Sequence, residues 1–84
     1  MNATTIEMRA DHKLDLAELG CGDLAIALMK AMKGINAGET IEIIARDQGA
    51  ANDIPAWCRM TGHTLIEGPS GTDGSVYILR KKGA

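Results

Sequence analysis

Two cysteines, Cys21 and Cys58, are the side chains of this 84-residue chain best suited to covalent chemistry. Cys21 lies between Gly20 and Gly22, just ahead of a run of strong helix formers, Leu24–Lys33. A helix N-terminus presents unpaired N–H groups and a partial positive charge, and both stabilise a thiolate. Thiols so placed can have their pKa lowered to about 3.5–7.5 from about 8.5. The flanking glycines leave the sulfur sterically open, so the expected chemistry is nucleophilic attack or sulfur exchange at Cys21. This outweighs the ordinary reading of a small apolar residue packed in a loop. Asp23 opposes it by raising a neighbouring thiol's pKa, unless its carboxylate is engaged as the helix N-cap, which is the role expected for it.

Cys58 sits beside Trp57 at an apolar-periodic position of a second helix, and free cysteine is among the most often buried residues. It is expected to be structural. His12 and His63 would complete a notional four-ligand set with the cysteines. No close pair such as C-x₂-C or H-x₃₋₅-H supports it, so no metal site is expected and no cofactor is implied. Neither histidine is near Cys21 in sequence, which leaves no Cys–His nucleophile pair to claim. Asp47, Asp53, Glu39 and Glu42 read as turn, cap and exposed-strand residues. Met8, Met29, Met32 and Met60 read as core filler.

The elements that must position these residues follow from periodicity. Residues 5–16 alternate, with Ile6, Met8, Ala10, His12, Leu14 and Leu16 on one face, and predict a half-buried strand bent near Asp11. A tight loop at 19–23 leads to a helix over 24–33, with Gly34 as its stop. Ile41–Ala45 is β-branched and predicts a central strand. A second helix is expected over 51–61, with Pro55 in its first turn and Gly62 ending it. His63–Glu67 predicts a third strand, 68–74 a mobile hairpin loop, and Ser75–Lys81 a fourth strand. The order β-α-β-α-β-β implies an α+β fold, a two-layer sandwich with a four-stranded mixed sheet and two helices on one face. The whole of 1–84 is expected to form one domain.

Composition excludes several classes. Nine Lys+Arg against eleven Asp+Glu give a net charge of −2, and only Trp57 and Tyr77 are aromatic. Direct nucleic-acid binding wants a basic field or stacking rings, so it is not expected. No apolar run reaches membrane-spanning length, and Met1–Thr5 lacks the plan of a signal peptide, which points to the cytoplasm. On the first helix, Ala25, Leu28, Met29 and Met32 can face the sheet. That leaves Leu24, Ile26 and Ala27 toward solvent beside Cys21, and a docking face comprising Leu24, Ala27 and Lys30 is expected.

Several blocks together resemble the TusA/SirA family of small sulfur carriers. They are Asp11-His12-Lys13-Leu14-Asp15, Gly38-Glu39-Thr40-Ile41, Arg46-Asp47, Asp53-Ile54-Pro55-Ala56-Trp57-Cys58, Gly62-His63-Thr64-Leu65 and Tyr77-Ile78-Leu79-Arg80-Lys81. The resemblance covers about residues 11–82 and implies the same β-α-β-α-β-β sandwich. It also implies a persulfide relay in which Cys21 accepts sulfur from a donor protein, such as a cysteine desulfurase, and hands it to a downstream acceptor. In the family such relays serve tRNA thiolation, molybdenum-cofactor metabolism or sulfur oxidation. The family's C-P-x-P signature reads Cys21-Gly22-Asp23-Leu24 here, with both prolines absent. A competing expectation is therefore an interaction or regulatory module that keeps the fold without efficient transfer.

Overall fold

The computed structural model describes residues 10–17 and 19–83, with Cys21 described through its backbone. Six elements follow in chain order: β1 (His12–Asp15), α1 (Cys21–Lys33), β2 (Thr40–Ile44), α2 (Ala50–Thr61), β3 (Thr64–Ser70) and β4 (Val76–Arg80). The strands form one sheet in the order β1-β2-β4-β3. β1 runs parallel to β2, and β4 is antiparallel to both β2 and β3. The mixed sheet and the β-α-β-α-β-β order are those expected from periodicity.

Register explains why both helices share one face. Ile41 pairs with Leu79 and Ile43 with Tyr77, so these four project to the same side of the pleat. All are buried, and they join Leu24, Leu28, Met32, Ile54, Trp57 and Cys58 in a single apolar cluster. At 25 cal/mol per Å², burying each large aliphatic of this cluster contributes about 1.5–3 kcal/mol. His12 and Leu14 lie on the same side in β1, while Lys13 and Asp15 lie on the other. The expected positions of Ile6 and Met8 on this first strand fall outside the described residues.

β1 spans only His12–Asp15 of the expected 5–16 among the described residues. β2 and β4 differ from expectation by one residue at their ends, and three further differences bear on the site and the sheet edge. α1 begins at Cys21, three residues before Leu24. Gly20 is extended there, and its carbonyl accepts the Leu24 N–H at 2.7 Å, so no side-chain cap is needed to start the helix. α2 begins at Ala50, which puts Pro55 in its second turn, where the carbonyl of Ala51 loses its usual donor. β3 continues through Gly68-Pro69 to Ser70 with two register shifts. Proline is tolerated because β3 is an edge strand, where a missing donor breaks no ladder on the open side. Gly68 has φ +127°, and a Cβ there would stand 2.7 Å from the Val76 carbonyl oxygen, so only glycine allows this close strand approach.

Candidate functional site

The site is built where β1 hands over to α1. Asp15, the last residue of β1, accepts the backbone N–H of Ala17 through Oδ1 at 2.8 Å. The same oxygen accepts from Arg46 Nη1 at 3.3 Å. Ala17 has φ +51°, a left-handed conformation that costs a non-glycine residue roughly 1–2 kcal/mol, so the turn must be held. Its carbonyl accepts the N–H of Arg46 at 2.8 Å, and Leu16 N–H donates to the Ile44 carbonyl at 2.8 Å. The segment leading to Cys21 is thereby stitched to the C-terminal end of β2 from both sides.

Cys21 is the first residue of α1. The N–H groups of Cys21, Gly22 and Asp23 precede the first i→i−4 bond of the helix, and the N-cap Gly20 offers no side-chain acceptor. These donors, with the helix dipole behind them, make the start of α1 an environment that favours negative charge. This overturns the expected capping role of Asp23. It sits in the first turn, exposed, and makes no side-chain cap bond. The reason is the earlier helix start, which puts Asp23 two residues inside instead of in front.

Burial along α1 corrects the docking face as well. Leu24 is only 1% exposed and belongs to the core. Leu24, Leu28 and Met32 recur every four residues and point at the sheet, so Leu24 offers nothing to a partner. Ala27 is half-buried against the core, and Lys30 is exposed. Met29 and Met60, read as core filler, are exposed, whereas Met32 is buried. The apolar side chains that reach solvent near α1 are Leu19, Ile26 and Met29. The i, i+4 spacing of Leu24, Leu28 and Met32 is the signal that would have set Ile26 and Met29 outward.

Cys58 is 3% exposed, and burial pushes its thiol up to about 11, so it stays protonated and inert at neutral pH. His12 Nε2 and Glu39 Oε1 are 2.9 Å apart. The Glu39 carboxyl is held below its usual range, first by the backbone N–H of Asn36 and then by His12. His63 stacks on Trp57 with ring centroids 5.2 Å apart, and its Nδ1 accepts the Lys82 N–H at 3.0 Å. The two histidines thus belong to opposite edges of the sheet. No group of three or more His, Cys, Asp or Glu able to hold a metal occurs among the described residues. Asp47 acts as the expected turn residue, accepting the Gly49 N–H at 2.9 Å and ushering in α2.

Asp15 and Arg46 are the site residues that sequence reasoning missed as positioning groups. A readable signal existed in Asp15-Leu16-Ala17, since an aspartate commonly accepts the N–H two residues on. No helix among the described residues is long and apolar enough to cross a membrane. A family model for sulfurtransferase TusA matches residues 12–82, which takes in every strand and both helices. With a helix-starting cysteine carried on that frame, the chain belongs to the TusA sulfurtransferase family.

Proposed function

We propose that this protein is a cytoplasmic sulfur carrier that holds a persulfide on Cys21. The Cys21 thiolate attacks the outer sulfur of a donor protein's cysteine persulfide, such as that of a cysteine desulfurase. A new S–S bond forms at Cys21 as the old one breaks, and the donor leaves as a thiolate. A downstream acceptor thiolate then takes the same outer sulfur from Cys21 by a second exchange, with no net oxidation. The chemistry needs a stabilised thiolate and in-line access, and no metal or cofactor. The acceptor could serve tRNA thiolation or another sulfur pathway through a protein partner, without direct contact to nucleic acid.

The observation that carries this reading is the place of Cys21 as the first helical residue, where its own N–H and those of Gly22 and Asp23 have no helical acceptors. Glycine at 22 removes the ring that proline would supply, while the helix still starts at Cys21. Intact-protein mass spectrometry without reductant tests the proposal. The protein is incubated with a cysteine desulfurase plus cysteine, and separately with polysulfide. The expected result is a reducible gain of one sulfur atom that is lost in Cys21→Ser and kept in Cys58→Ser. Absence of any gain in folded protein would overturn the carrier reading in favour of the interaction module.

A further inference from the structure

α1 and α2 lie on the same face of the sheet yet touch only sparingly. Between their outward flanks runs an open cleft of about 600 Å³. Volumes of about 300–1,000 Å³ with a mostly apolar lining and a few placed polar groups are usual for small-molecule sites. Trp57 forms one wall, and Ile26, Met29 and Met60 form the rim, at 50%, 45% and 80% exposure. A smaller hollow of about 190 Å³ shares Ala25, Trp57 and Met60 with the cleft, and the core residues Leu24 and Leu28 line it. Apolar side chains gathered this way at a surface mark a binding site more often than chance, and flexible methionines adapt to what they cover.

Charge decides the chemistry of the occupant. Lys33 and Lys82 both line the cleft, and neither has an ion-pair partner among the described residues. The stem of Lys82 lies across Gly62, its Cδ 3.3 Å and its Nζ 3.9 Å from where a Cβ would stand. Lys81 is already committed, donating to the Ile35 carbonyl at 2.7 Å. Among the described residues no carboxylate lines the large cleft, and Asp53 belongs to the smaller hollow. A volume of about 600 Å³ lies in the small-molecule range and is too small to enclose several turns of an α-helix about 10–12 Å across, whereas a single slender apolar chain fits it.

We propose that this cleft binds an amphiphilic monoanion, with an apolar chain along Ile26, Met29, Trp57 and Met60 and its anionic head between Lys33 and Lys82. The proposal assigns no role to Cys21, so binding is measured on Cys21→Ser protein and stands or falls separately from the sulfur relay. Trp57 is the only tryptophan of the chain and reports occupancy by fluorescence. The probes are decanoate, decanol and decyltrimethylammonium, each kept below its micelle concentration.

Decanoate should give a saturable change, with decanol and decyltrimethylammonium binding at least about tenfold more weakly, as two nearby cations require. Raising salt should erode the decanoate preference, because exposed lysines are screened. The K33Q/K82Q double variant should bring decanoate down to the level of decanol. Met60→Glu, at an exposed position, should weaken decanoate most, with circular dichroism and melting showing an intact fold. No saturable response, equal binding of the three probes, or a preference surviving K33Q/K82Q would overturn the proposal. A response to an acidic amphipathic helical peptide but not to decanoate would also overturn it, and would make the cleft a protein-docking face.

Discussion

The carboxylate of Asp15 holds the backbone of Ala17 in a left-handed turn, through a 2.8 Å hydrogen bond two residues along the chain. This bond and the Arg46 contacts tie down the chain at Ala17, four residues before Cys21. Asp15→Ala removes the acceptor and should cost about 0.5–1.5 kcal/mol of stability. It should also slow sulfur loading, because the approach to the helix loses its tether. Ala17→Gly relieves the positive φ and should hold or raise the melting temperature, by up to a few degrees for about 1 kcal/mol. Thermal melts of the two variants, with loading measured by mass, check the pair. A stabilised Asp15→Ala protein would show that the turn is not what holds this segment.

Cys58 and Cys21 should separate cleanly by pH. Burial pushes the Cys58 thiol to about 11, so alkylation at that position should remain negligible in folded protein from pH 6 to about pH 9. Iodoacetamide should therefore label one site across that range, mapped by peptide mass to Cys21. Labelling at both sites should appear only when denaturant opens the core. Cys58→Ser should leave the Cys21 rate unchanged and cost on the order of 1–3 kcal/mol, since it puts a hydroxyl at a 3% exposed position among apolar neighbours.

Leu24 and Ile26 are two residues apart and should behave oppositely. Leu24→Ala empties a core position that is 1% exposed and should cost about 2–5 kcal/mol. Ile26→Ala trims a side chain that is 50% exposed and should change stability by less than about 1 kcal/mol. Urea denaturation of both variants measures the difference. Near-equal losses would mean that the helix presents another face to the sheet.

This contrast shows what was legible in the sequence. Period-two alternation located β1 and β4, β-branched composition located β2, strong helix formers located α1, and an apolar repeat located α2. Family blocks such as Asp53–Cys58 and Gly62–Leu65 agree with the matched span of residues 12–82. The helix start was not legible, because Asp23 satisfied the local rule for an N-cap while Gly20 took that place without any side-chain bond. The facing of α1 was not legible for another reason: the helix is apolar around most of its circumference, so Met29 competes on paper with Leu24 for the i, i+4 stripe that Leu24, Leu28 and Met32 fill. β3 outran its expected end because Gly68-Pro69 reads as a loop, whereas an edge strand can carry both.

Acid should weaken the fold through Glu39 and Asp73. Asn36 and then His12 lower the Glu39 carboxyl, and Ser75 lowers that of Asp73 through its hydroxyl at 2.6 Å. Both groups bind protons more readily when unfolded. Their stabilisation is therefore complete above the ordinary carboxylate range and is lost as pH falls through the depressed folded values. Melting temperature should be flat with respect to these groups near neutrality and should fall below about pH 4.5, the ordinary glutamate value. Glu39→Gln should flatten part of that acid slope while lowering stability at pH 7. An unchanged slope in Glu39→Gln and in Asp73→Asn would assign the acid loss to other groups.

Asp23 offers the most direct test of electrostatics at the proposed carrier cysteine. Its carboxylate lies in the first turn of α1, exposed and without a capping bond, two residues from Cys21. There it suits the helix dipole but opposes a neighbouring thiolate. Asp23→Asn keeps the shape and removes the charge. Stability should fall only slightly, by about 0.3–1 kcal/mol for a charge near a helix end. The alkylation rate of Cys21 at pH 7 should rise a few-fold, because the thiolate form loses its nearest opposing charge in sequence. Raising salt should shrink the difference between variant and wild type, since an exposed charge is screened. A rate that falls in Asp23→Asn would mean that the carboxylate assists the sulfur, and the helix N-terminus would then not be what activates it.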